Sequence, residues 1–159
     1  MPRHSVDADI DERDRNLLLR LERHGWFVMK VGAGDGEPAF AYSLGLFENF
    51  KHPEIILFGL DLDTMHTLIN DVGELVRKGQ RFDAGDSSDQ LLDGFTCAFR
   101  PVAKSQYGAH VTYTVWYYGN DQFPVLQLVW PDMNGRFPWN GEFDERYRAD
   151  QPDLSGESG

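Results

Sequence analysis

The sequence predicts a single α+β domain, a mixed and mostly antiparallel sheet with helices packed against it. Three observations carry that prediction. Glu54 to Leu60, EIILFGL, is an apolar run with no polar alternation, the pattern of a strand buried on both faces. Four other short runs, WFVMKV at 26–31, FAYSL at 40–44, FTCAFRPV at 95–102 and PVLQLVW at 124–130, have strand length and turn residues at their ends. Between them, Leu62, Met65, Ile69, Val72 and Val76 recur at helical spacing, one apolar stripe on one helix.

Bulk properties narrow the classes of function. The chain has 159 residues, of which 41% are hydrophobic and 13% aromatic. That is enough for one real core and too much for disorder. The formal net charge of -11 repels phosphate backbones and argues against nucleic acid as a partner. The same charge favours a basic protein partner, although its plainest reading is solubility. Cys97 is the only cysteine, so no intramolecular disulfide forms. No apolar run approaches the ~20 residues of a membrane helix, and the N-terminus carries no signal-peptide core. A cytoplasmic protein is expected.

Taken in order, residues 1–8 are expected to fray. Asp9 is placed to cap a helix, with Glu12 at capping-box spacing. Ile10, Leu17, Leu18 and Leu21 share its face, and Gly25 suits the left-handed position after it. Trp26–Val31 is a strand. The turn GAGDGEP at 32–38 is glycine-rich, but no helix follows to cradle a phosphate, so it reads as a hairpin into Phe40–Leu44. Gly45–Pro53 reads as a loop carrying Glu48, Asn49, Lys51 and His52. After the strand at 54–60, Asp61 or Asp63 caps a helix to about Arg77, closed by Lys78 and Gly79. Gly73 inside it costs about 1 kcal/mol relative to Ala unless something packs closely there.

Residues 80–94 read as polar irregular chain anchored by Phe82 and Leu91–Leu92. Phe95–Val102 is a strand. Lys104–Asn120 is ambiguous. VTYTVWYY has the β-branched and aromatic content of a strand, while Tyr107, Val111, Val115 and Tyr118 fit a helical stripe. Pro124–Trp130 is a strand stopped by Pro131, and Asp132–Gly135 a turn. Arg136–Phe143 reads as an ordered aromatic extension. Residues 144–159 are poor in apolar side chains and are expected to form a disordered acidic tail. No repeat or linker divides residues 9–143.

Several segments resemble one bacterial family, domain of unknown function 4262. They are Gly25-Trp26, FAYSLGL at 40–46, HPEIILFGL at 52–60, Asn70 and LQLVWPDMNGRFPW at 126–139. The likeness covers about residues 17–143 and implies a helix before LQLVWPD, hence at 107–118. It implies no activity. Over a short stretch, SLGL to HPEIILFGL also resembles the paired strands of flavin-reductase split barrels, whose phosphate-binding Arg, Lys, Ser and Thr residues have no clear counterpart here.

Two constellations bear chemistry. His52 and Glu54 bracket Pro53 at the entry of the central strand, and His66 lies past its exit. At ~3.3 Å per residue the two ends are some 20 Å apart, and no closely spaced His or Cys pair exists. No metal is therefore expected. His52 reads as a structural hydrogen-bonding group and His66 as a helix-surface residue. Tyr42, Trp130, Asp132, Arg136 and Trp139 could instead line a pocket, with Asp132 and Arg136 as polar handles. The competing reading has Phe137 and Trp139 clamping the C-terminus while Asp132 caps a turn. Cys97 reads as a buried inert thiol, and Ser43 lacks the GxSxG frame of a nucleophile.

The leading expectation is a non-enzymatic binding module using the late aromatic segment and the 45–53 loop. A basic protein is a suitable partner, as when an acidic immunity-type protein neutralises a toxin, and no cofactor is required. The alternative is a small enzyme or flavin-type cofactor binder with a pocket near His52, Glu54, Asp132 and Arg136.

Overall fold

A computed structural model of the protein describes residues 12–34 and 36–155. The expected cap at Asp9, the side chain of Ile10 and the frayed N-terminus fall outside them, as do residues 156–159. In chain order the elements are α1 (Glu12–His24), β1 (Phe27–Val31), β2 (Phe40–Leu44), α2 (Leu46–Phe50), β3 (Glu54–Phe58), α3 (Leu62–Arg77), β4 (Ser87–Leu92), β5 (Phe95–Pro101), α4 (Tyr107–His110), α5 (Thr112–Tyr118) and β6 (Val125–Val129). Short 3-10 turns occupy Lys104–Gln106 and Glu145–Asp150.

The strands form one sheet in the order β1-β2-β3-β6-β5-β4. Only β3 and β6 run parallel, with Glu54 opposite Val125 and Ile56 opposite Gln127; the other pairs are antiparallel. The fold is thus the expected α+β class with a mixed, mostly antiparallel sheet. Strand β3 is interior and buried at every position, because successive side chains point to opposite faces and both faces are covered. Ile55 and Leu57 join Trp26, Phe99, Leu128 and the stripe of α3. Ile56 and Phe58 join Leu18, Leu21, Tyr42, Tyr117 and Val125 on the face covered by α1, α4 and α5.

Helix α3 forms as its sequence dictates. Asp61 accepts from the N–H of Thr64 as N-cap, and Met65, Ile69, Val72 and Val76 are buried. Gly73 is explained by close approach: a Cβ there would lie 2.4 Å from ring carbons of Trp26. Tyr107–Tyr118 resolves as two short helices, α4 and α5, in agreement with the helical stripe.

Three expectations are corrected. Residues 80–94 contain a strand, β4. It is an edge strand of sequence SSDQLL with a register irregularity between Ser88 and Leu92, so its polar alternation is broken and its outer side needs no apolar residues. Phe82 and Leu91 are its buried anchors, as expected. The 45–53 loop contains helix α2. The third correction concerns the tail. Residues 145–155 are ordered against the sheet, with Leu154 2% exposed and Gln151 4%. Few anchors suffice because hydrogen bonds add to them. The Gln151 side-chain amide accepts from the N–H of Trp130 and donates to its carbonyl, much as a neighbouring strand would. The N–H of Ala103 donates to Leu154.

Candidate functional site

Polar chemistry gathers in two places, at opposite ends of the parallel strand pair. The first surrounds Glu54, at the entry of β3. Glu54 is fully buried, and its carboxylate accepts five hydrogen bonds. Oε1 takes the Ser43 hydroxyl at 2.7 Å and the Leu46 N–H at 3.3 Å; Oε2 takes the N–H groups of Gly45 and Phe47, both at 3.1 Å, and the Tyr118 hydroxyl at 2.5 Å. The chain turns sharply at Gly45 to begin α2, and this turn aims successive N–H groups inward. Ser43 and Tyr118 are themselves fixed, because Ser43 Oγ accepts from Ile55 N–H and the Tyr118 oxygen accepts from Gly45 and Glu48.

Burial raises the Glu54 pKa, and the hydrogen bonds from Tyr118, Ser43, Phe47 and Leu46 oppose that rise. Every neighbour is a donor, so the ionised form matches this cage; the acid form would carry a hydrogen that no acceptor faces. Burial also raises the Tyr118 pKa, helped by the Glu54 charge, which keeps its hydroxyl a donor. Next to the cage, His52 is buried. Its Nε2 lies 3.0 Å from the Phe82 N–H, which can only donate, and its Nδ1 lies 2.9 Å from the Pro53 carbonyl. These partners assign the proton to Nδ1. Burial lowers the His52 pKa.

His66 stands apart, half-buried on α3. Its Nδ1 is 3.1 Å from the Asn70 amide nitrogen, and Asn70 accepts from the Trp26 indole. This partly corrects the expectation of an exposed helix-surface residue. Cys97 is buried among apolar side chains, as expected, and burial pushes its thiol up to about 11.

The second place lies beyond the exit of β6. Asp132 is buried and accepts from the N–H groups of Asn134, Arg136 and Asp144. Burial acts to raise its pKa, but these three donors outweigh that and hold it below the usual carboxylate range. Asp132 therefore organises a turn, the competing reading. The Arg136 side chain pairs with Glu142 at 3.3 Å, and its charge adds to the lowering of the Asp132 pKa. Tyr42 belongs to the core cluster on one face of the sheet and Trp130 to the cluster on the other, so those two do not wall a common pocket. Trp130 is buried, its indole donating to the Phe58 carbonyl at 2.8 Å.

Trp139 departs most from expectation. It is 49% exposed, not docked on the core. One face of its indole stacks on Phe137, with centroids 4.9 Å apart and planes 12° from parallel. The Arg100 guanidinium lies 4.5 Å from its ring centre. Together they edge a cleft of about 600 Å³. Its floor is Arg100, Gln127 and Val129 of β5 and β6; one wall is residues 138–141 and the other is Arg148 with residues 151–153. Arg148 fastens the walls together, donating to Glu145 at 3.0 Å and to the Pro138 carbonyl at 2.6 Å. Gln127, 3% exposed, donates to the Pro152 carbonyl at 2.9 Å.

Arg100 and Gln127 are not among the residues that the sequence singles out. A signal for both existed. Arg100 is out of phase with Cys97 and Phe99 on β5, and Gln127 is the one polar residue of VLQLV. Each therefore points to the sheet face opposite its large apolar neighbours. Asp132 lies seven positions beyond Val125, which pairs with Glu54. At ~3.3 Å per residue that is roughly 20 Å of chain, so His52 and Glu54 do not meet Asp132 and Arg136 around one pocket. Among the described residues, no group of three His, Cys, Asp or Glu side chains could hold a metal ion, and no helix is long and apolar enough to cross a membrane.

Fold and site together define a single-sheet α+β protein with a closed internal carboxylate cage and a separate open cleft. The chain belongs to the family described as domain of unknown function, DUF4262, whose profile matches residues 20–144. The match includes the cage, the floor of the cleft and its Trp139 wall, and stops before Arg148. No curated protein and no solved structure matches the chain.

Proposed function

We propose that the protein is a non-enzymatic binding module of the bacterial cytoplasm that holds a small molecule in the cleft beside Trp139 and Arg100. The observation that carries this reading is the cleft itself: about 600 Å³, within the usual range for small-ligand sites. A rigid sheet floors it, and a half-exposed indole and a guanidinium stand at its edge. The alternative, a small enzyme or flavin-type cofactor binder using His52, Glu54, Asp132 and Arg136, loses support because those groups are buried in separate hydrogen-bond networks or paired on the surface. Gly141 offers a direct test. It lines the cleft, and a Cβ there would meet nothing within 4 Å. Gly141→Phe should fill the cleft, leave the melting temperature near wild type and abolish binding of hits from a fragment screen. Hits that bind Gly141→Phe as tightly as wild type would refute the cleft as the site.

One observation favours a second reading, a basic protein partner. Asp83, Asp86, Asp89 and Asp93 are all exposed along or beside the edge strand β4, in a chain of net charge -11. A lysine-rich peptide should then bind at low ionic strength, and Asp89→Asn with Asp93→Asn should weaken it. Equal binding by the double variant would end this reading.

A further inference from the structure

We infer that the cleft is built for a small neutral molecule with an apolar ring, held by contact with Pro138, Pro152 and Val129 and not by an ion pair. This inference rests on the cleft being a binding site and adds the class of its ligand. The argument starts from the polar side chains of the lining, whose hydrogen bonds run to the protein itself. Arg148 donates through Nε to Glu145 and through Nη1 to the Pro138 carbonyl at 2.6 Å. Arg100 donates to Ser155 Oγ and lies over the Trp139 ring. The Gln127 amide donates to the Pro152 carbonyl at 2.9 Å, and the Gln151 amide serves the N–H and the carbonyl of Trp130. Asn140 Oδ1 accepts from the Glu142 N–H, and Asp153 Oδ1 accepts from the N–H and hydroxyl of Ser155. A ligand that took over one of these groups would break a bond that holds a wall or the floor in place.

Charge points the same way, because each cation of the lining stands near a carboxylate. Arg148 pairs with Glu145 at 3.0 Å. Burial acts to raise the Asp153 pKa, but the hydrogen bonds from Ser155 and the Arg100 charge outweigh it and keep Asp153 below the usual carboxylate range. An anionic ligand would set its charge against Asp153 and against the net charge of -11. A cationic one would set its charge against the two guanidinium groups. Either would leave water for a place whose charges already have partners, which costs more than burying a neutral group.

The surface left to a ligand is apolar. Val129 lies in the floor, and Pro138 and Pro152 belong to opposite walls. Both prolines are tied down through their carbonyls, Pro138 by Arg148 and Pro152 by Gln127. The polar groups are thus the scaffold of the cleft, and the prolines they hold are its contact surface. A surface fixed before binding loses little entropy when a ligand arrives. It accepts a ring and gives little to a sugar or a polyol.

Three probes share an indole ring and differ in charge: indole-3-acetamide, indole-3-acetate and tryptamine. Inositol, a ring covered in hydroxyls, is the fourth. Saturation-transfer NMR and calorimetric titration would be run on the full chain, on Gly141→Phe and on the double variant Pro138→Ser with Pro152→Ser. Indole-3-acetamide should bind wild type at least about tenfold more tightly than the other three, since a charge costs more to desolvate than an amide. The double variant keeps both carbonyls, so Arg148 and Gln127 keep their acceptors, and it should bind indole-3-acetamide at least about fivefold more weakly for want of apolar contact. Thermal unfolding checks that it is folded, and Pro138→Ser alone takes its place if it is not. Indole-3-acetate, tryptamine or inositol binding as tightly as indole-3-acetamide, with all binding lost in Gly141→Phe, would overturn the neutral-ring inference and leave the cleft reading standing. Unchanged affinity in the folded proline variant would also overturn it. No probe binding wild type, or binding unaffected by Gly141→Phe, would overturn the inference together with the cleft reading.

Discussion

The Glu54 cage and the Trp139 cleft are both polar places in an apolar fold, yet they are finished in opposite ways. In the cage every oxygen and hydroxyl is used. Five donors meet one carboxylate, and two of those donors, the Ser43 and Tyr118 hydroxyls, are themselves anchored by backbone N–H groups. Nothing remains to meet a ligand. In the cleft the side chains are held by their neighbours but still border open space. A buried charge is thus by itself no mark of a site. A fully satisfied carboxylate fixes the chain around it, and the functional candidate is the place where ordered side chains still border open space.

The sharpest way to break this comparison is at Glu54. Glu54→Ala would leave the N–H groups of Leu46 and Phe47 and two hydroxyls without the acceptor they share, and Gly45 N–H with the Tyr118 oxygen alone. We expect a loss of about 3–5 kcal/mol, the cost of removing one partner from a buried ionic network. Glu54→Gln should also be destabilising, since its NH2 would face donors. The check is the denaturant midpoint. A Glu54→Gln protein as stable as wild type would show that the cage does not depend on the charge.

The C-terminal segment comes next. Leu154 is 2% exposed in the core cluster with Val125 and Phe123. Leu154→Ala should lower stability by about 2–3 kcal/mol, the lower part of the range for buried leucine, and deleting residues 145–159 should also remove a wall of the cleft. A deletion protein with unchanged melting temperature would mean that these residues are dispensable after all and that the cleft stands open on that side.

Leu154 also shows where the sequence stops being legible. The interior strands could be read because β3 alternates Ile55 and Ile56 between two covered faces, so every position is apolar. Helix α3 could be read from its cap and stripe. The segment 144–155 could not, because it adheres through scattered anchors, chiefly Leu154, Tyr147 against Trp130 and the Gln151 amide that imitates a strand, and none of them stands out in composition. Strand β4 was hidden for a related reason, since an edge strand with an irregular register has no apolar alternation to show. At the site, Asp132 and Trp139 were found as residues but misplaced as a pair. Chain spacing gives a face within one strand and does not say whether a ring after a turn folds back onto the core or projects from it.

A third prediction separates His52 from the cage beside it by pH. Burial holds the His52 pKa below its ordinary value near 6.5, so the unfolded chain takes up a proton that the native protein resists. Stability is then complete above about pH 6.5 and is lost as pH falls from there towards the folded value. Burial pushes Glu54 upward against its hydrogen-bond donors, and that contribution is shared by wild type and the His52→Gln variant. The difference between wild type and His52→Gln, measured by denaturant unfolding from pH 7.5 down to about pH 5, isolates the histidine. Wild type should lose stability on acidification relative to the variant, and parallel curves would show that His52 takes up its proton equally well in both states.

The smallest effect is expected at Arg136, and it completes the contrast with Arg100. Arg100 lies opposite Gln127 in the middle of β6, and the sequence favours Arg136, which follows Asp132 across a turn. The structure gives the two residues different work. What Arg136 contributes to the turn comes from its main chain: its N–H donates to Asp132 Oδ1, and its carbonyl accepts from the Asp132 N–H at 2.8 Å. Both survive any substitution that keeps the backbone in place. Its side chain makes a surface pair with Glu142, with the two side chains 39% and 77% exposed. Exposed pairs of that kind are worth about 0–1 kcal/mol. Arg136→Ala should therefore change stability by about 0.5 kcal/mol or less and leave binding at the cleft unaltered, whereas Arg136→Pro, which removes the N–H that Asp132 accepts, should destabilise the turn. A loss of ligand binding in Arg136→Ala at unchanged stability would show that the site extends from the cleft to the turn.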